Sequence, residues 1–123
     1  AAHAKEKAAQ ALEQYDLAKA QKATAEANKK ELESQMGDVI KTTNEKTEAA
    51  EKMTKLNERV KASDKYSDEL KESVANKTKQ ALTDKTAAER AFDILMDKID
   101  AESAMIARTE AIMKRTGRWG GMR

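Results

Sequence analysis

The residues that could do chemistry in this chain are few, and most stand alone. His3 is the only histidine and lies at a terminus, so its imidazole reads as solvated. Without a second histidine there is no HExxH zinc site and no Glu-x-x-His pair for a di-iron bundle. Without cysteine there is neither a thiolate nor a disulfide framework. No Ser-His-Asp or Cys-His set can be assembled. No phosphate-cradling glycine loop occurs, because Gly117, Gly120 and Gly121 crowd into the last seven residues. Asp93, Asp97 and Asp100 share one face of a helix. Three carboxylates on one straight helix cannot wrap a hard cation that wants about six to eight oxygens, so they read as a solvated stripe. Asn76-Lys77-Thr78 has the form of a glycosylation acceptor but falls in mid-helix. The expectation is therefore a chain with no catalytic, cofactor-binding or metal-binding residues, and not an enzyme.

Recognition chemistry is better represented, and it concentrates at the C-terminal end. Arg115-Thr116-Gly117-Arg118-Trp119-Gly120-Gly121-Met122-Arg123 sets the only tryptophan among three glycines and three arginines. Trp and Arg are the residue types most enriched at binding hot spots. The stretch reads as a docking tail over 117–123, with Trp119 as anchor. Arg–phosphate pairing with Trp–base stacking is a second reading. A net charge of +2 over the whole chain argues against it, since a nucleic-acid footprint normally spreads over a face.

The element that must carry this tail runs from Thr86 to Thr116. Thr86 and Glu89 have the spacing of a capping box, and Lys114 and Arg115 before Gly117 suit a helix end. On a helical wheel, Ala88, Phe92, Leu95, Met96, Ile99, Ile106 and Met113 form one apolar stripe. Ile94, Ala101, Met105 and Ile112 form a second. A surface helix needs only one stripe, so the second is either central in its own bundle or shared with a partner. The candidate partner-binding residues are Ile94, Met105, Ile112, Arg115, Arg118, Trp119 and Arg123.

Upstream, Ala8, Leu12, Tyr15, Ala18, Ala25, Leu32 and Met36 make a seam at three- and four-residue steps. Gly37-Asp38 reads as a break. Ser63 to Asp68 reads as a second turn and Thr83 to Thr86 as a third. The expected fold is all-α, a four-helix bundle over 1–116 with helices about 2–36, 39–62, 67–82 and 87–116. The alternative is long coiled-coil helices in an oligomer. Heptad positions from Met36 to Ile99 can be strung across every supposed turn, but Asn57, Asp64, Lys71 and Lys85 would then sit in the seam.

Composition bounds the function classes. Among 123 residues, 37% are charged and 3% aromatic, and proline is absent. Leu, Ile, Val and Phe together number sixteen, fewer than a well-cored globular chain carries. The core is thin or is completed by something else. The leading expectation is a non-catalytic helical accessory or scaffold subunit that docks on a larger assembly through its C-terminal helix and tail. The partner is a protein or a second copy, with no small-molecule substrate. A start at Ala1 without methionine allows a peripheral extrinsic subunit of a membrane complex after presequence removal. Lipid-surface binding is a further class, weakened by apolar faces poor in Trp and Phe. The compartment stays open.

Overall fold

The computed structural model describes residues 2–120, with side chains over 3–117. It contains two helices, α1 (Ala2–Ala62) and α2 (Asp68–Gly120), separated by a short turn. The chain is all-α with two long helices packed against each other, and the expected four-helix division is corrected to two. Of the three expected turns, only the one from Ser63 to Ser67 interrupts the helix. There the Leu70 N–H donates to Ser67 Oγ at 3.2 Å, which caps the start of α2. Asp68 and Glu69 add negative charge to that first turn, where the helix dipole favours it.

The missing breaks have local causes. Thr83 and Thr86, expected at a turn, turn their hydroxyls back onto the Lys79 and Leu82 carbonyls, each at 3.0 Å. Gln80 Nε2 donates to Asp84 Oδ1 at 2.9 Å within the same stretch. The turn-forming side chains thus satisfy themselves on the helix instead of competing with it. Thr86 does not cap a helix start, and the Thr86–Glu89 pattern is spent in mid-helix. Gly37 and Gly117 carry no positive φ, so neither takes the left-handed conformation that ends a helix. The expected stop at Gly117 is absent, and α2 runs on to Gly120.

The chain divides into two compact units, Ala1–Ser34 with Asp97–Arg123 and Gln35–Met96. In the second unit, the Thr43 hydroxyl lies 3.4 Å from the Ala88 carbonyl, and that of Thr78 lies 3.1 Å from the Met53 carbonyl. Ten residues forward on α1 match ten residues back on α2, which is an antiparallel register without slippage. Met36, Thr43, Ala50 and Asn57 recur every seven residues on α1 and are buried or half-buried. Lys71, Thr78, Lys85 and Phe92 do the same on α2. This heptad spacing is that of coiled-coil packing. Val60, Val74 and Leu95 are its largest buried apolar side chains.

In the first unit the fully buried seam positions hold smaller residues, with Leu12, Tyr15, Leu32, Ile99, Ile106 and Met113 half-buried beside them. Ala11, Ala18 and Ala25 are buried on α1, and Thr109 and Thr116 on α2. Lys22 Nζ lies 3.4 Å from Glu110 Oε1, and Asn28 Nδ2 donates to Glu102 Oε1 at 3.5 Å. A Cβ placed on Gly117 would lie 3.5 Å from a Tyr15 ring carbon, so Tyr15 and Gly117 sit side by side. Register is again antiparallel, since seven residues from Tyr15 to Lys22 match seven from Gly117 back to Glu110. Each buried alanine contributes on the order of one methyl group, about 0.8 kcal/mol, so the three together match about one buried leucine.

Candidate interaction face of the first unit

The C-terminal part of α2 splits its apolar residues between two faces. Ile99, Ile106 and Met113 recur at seven-residue steps and are half-buried toward α1. Ala101 and Met105 lie on the outward flank, with Met105 37% exposed, and Ile112 is half-buried at its edge. Lys98, Arg108 and Arg115 fall on the same flank by helical spacing, and all three are exposed. Among the described residues none of these three cations is in an ion pair, whereas Lys22 is paired with Glu110. The flank is therefore an apolar strip with an unneutralised basic border.

Two shallow grooves lie along this face. One is lined by Ala20, Gln21, Thr24, Ala25 and Asn28 of α1 with Glu102 and Met105 of α2. The other is lined by Lys7, Gln10, Ala11 and Gln14 with Arg115 and Thr116. The α1 side supplies mainly amides and small residues. The Thr116 hydroxyl is turned inward onto the Ile112 carbonyl at 2.7 Å, which leaves the side-chain amides and cations as the groups able to bind.

Of the residues expected to meet a partner, Met105, Ile112 and Arg115 share this face. Ile94, 48% exposed, belongs to the second unit. The side chains of Arg118 and Trp119 lie outside the described residues, as does Arg123 altogether. Asp93, Asp97 and Asp100 are all exposed. No group of three or more His, Asp or Glu side chains among the described residues is placed to hold a metal ion. No helix among them is long and apolar enough to cross a membrane.

Sequence reasoning overlooked the α1 half of the face. Among the described residues Leu17 is the most exposed of the large apolar side chains, at 59%. Its signal was available, because it lies two residues past Tyr15 and one before Ala18, off the seam that both of those define. Gln10, Gln14 and Gln21 carried no comparable signal, since polar residues on a helix are expected to be solvated. Comparison of the chain with family models, curated proteins and solved structures gives no match.

Proposed function

We propose that this chain is a non-catalytic helical interaction module, an accessory or scaffold element that docks through the outward flank of α2. The observation that carries this reading is the exposure of Met105 beside half-buried Ile112, bordered by Lys98, Arg108 and Arg115, on the flank of α2 that edges the seam, where Met105 lines a shallow groove with Ala20, Gln21, Thr24, Ala25 and Asn28 of α1. Apolar side chains flanked by arginine are the composition of an interface centre and rim. The small-residue seam of the first unit supports the same reading, because it covers only one of the two stripes on α2.

A photo-reactive residue at Met105, in cells making the chain at its native level, should cross-link to another polypeptide chain. The same residue at Lys41, exposed on α1, should not. Equal cross-linking from both positions, or none from Met105, would remove the interface from this flank. Truncation after Thr116 should weaken the Met105 cross-link while circular dichroism stays helical. Undiminished cross-linking would remove the tail from the docking element.

A further inference from the structure

We infer that the partner seated on this flank is a second copy of the chain, and that two first units pack face to face as a four-helix bundle. This rests on the docking reading above and names its occupant. The argument is charge complementarity along a fixed register. Within one copy, Lys22 lies level with Glu110 and Asn28 with Glu102. Counting on from these pairs, Lys98 is level with Leu32 and Arg115 with Leu17.

Let a two-fold axis run parallel to the helices between two apposed faces. Each residue keeps its level, and α2 of one copy lies along α1 of the other in the same antiparallel sense. Lys98 then meets the other copy's Glu31, beside Leu32 on the apposed face. Arg115 meets the other copy's Glu13, one turn before Leu17. All four side chains are exposed, and among the described residues none is in an ion pair. Symmetry makes each pair occur twice. Ile112 comes level with the other copy's Ala20, within one turn of Leu17, the most exposed large apolar side chain among the described residues. Arg108 meets Thr24, not another cation.

The competing two-fold arrangement is disfavoured by the same charges. An axis across the helices between Ile106 and Ala107 would lay α2 on α2 and set Lys98 against Arg115 of the other copy. Like charges placed face to face across an interface discriminate against a pairing. Burial points the same way. The fully buried seam positions of the first unit hold only three alanines and two threonines, while the larger seam residues Leu12, Tyr15, Ile99, Ile106 and Met113 stay half-buried. Adding two more helices would cover Leu17, Met105 and Ile112 and deepen the burial of the half-covered apolar residues in this seam.

Sedimentation equilibrium on the full chain tests this. The 13.6 kDa chain should sediment at twice its mass and dissociate on dilution. Two charge-reversed variants should each be weakened by about tenfold or more, one carrying Lys98→Glu with Arg115→Glu and the other Glu13→Lys with Glu31→Lys. Mixed in equal amounts they should recover a heterodimer, because acidic α2 then faces basic α1 and the reverse. Circular dichroism of each variant alone checks that the exposed substitutions leave the helices intact. A wild-type monomer at every concentration reached, a larger assembly, or variants that dimerise alone as well as the wild type would each overturn the second copy as occupant. A monomer that still cross-links from Met105 to a different polypeptide would leave the docking reading standing and this inference refuted.

Discussion

At the scale of single residues, the seam of the second unit contains one polar atom that the fold leaves unserved. Asn57 Oδ1 is buried and has no hydrogen-bond partner. A buried acceptor without a donor costs about 1–3 kcal/mol relative to solvation. The neighbouring polar seam residues differ, because they either share a proton or reach water. The Thr78 hydroxyl lies 2.8 Å from the Val74 carbonyl and 3.1 Å from that of Met53, and its one proton serves either. Lys71 and Lys85 are half-buried, with stems long enough to lie along the seam and carry the ammonium out. Replacing Asn57 by Leu should therefore stabilise the chain by about 1–2 kcal/mol in urea unfolding. A loss of stability would show that the amide meets a need within the seam, such as holding register.

At the scale of elements, the decisive question is why two helices run where four were expected. Gly37 is the sharpest case. It sits within α1, and a Cβ added there meets nothing within 4 Å. Its conformation is not left-handed, so the glycine performs no turn. Gly37→Ala should then raise the thermal midpoint, with a gain of about 1 kcal/mol from helix propensity and a stiffer unfolded chain. A chain broken at this point would instead lose stability on the same change, so the sign of the shift decides between the architectures. The heptad positions were legible in the sequence, and Met36, Val39, Ala50, Val60, Val74, Leu95 and Ile99 are all buried or half-buried. Ser67 was legible as a helix start because its hydroxyl caps α2. Gly37 and Thr83–Thr86 misled because turn propensity is a local signal. It cannot report that a neighbouring helix holds the segment straight, or that threonine hydroxyls find carbonyls one turn back. Leu17 was readable as off-seam, but its neighbours on the face become visible only once α1 and α2 are set in register.

At the scale of the whole molecule, chain connectivity separates the two units more sharply than composition does. Gln35–Met96 folds its two arms about the short turn after Ala62, so its pairing closes a small loop. The arms of the first unit, Ala1–Ser34 and Asp97–Arg123, are joined only through all of Gln35–Met96. Closing a loop of some sixty residues rather than about five costs roughly 2 kcal/mol more in chain entropy if the intervening segment is unfolded. In the first unit the fully buried apolar side chains are only Ala11, Ala18 and Ala25, and half-buried Leu12, Tyr15, Ile99, Ile106 and Met113 carry most of the apolar area that offsets that cost. The second unit buries Val60, Val74 and Leu95 and needs no prior closure. Native-state hydrogen exchange across low urea concentrations should therefore show amides near Ala18 and Thr109 opening before those near Val60 and Val74. The helical amides nearest the turn should be the last to exchange, apart from the first-turn N–H groups of α2 that lack an intrahelical acceptor. Raising protein concentration should slow the first group and leave the second unchanged, because a partner copy seated on the first unit stabilises that unit by mass action. Simultaneous opening of both groups at every urea concentration would mean that connectivity sets no order here and the two units unfold as one cooperative body.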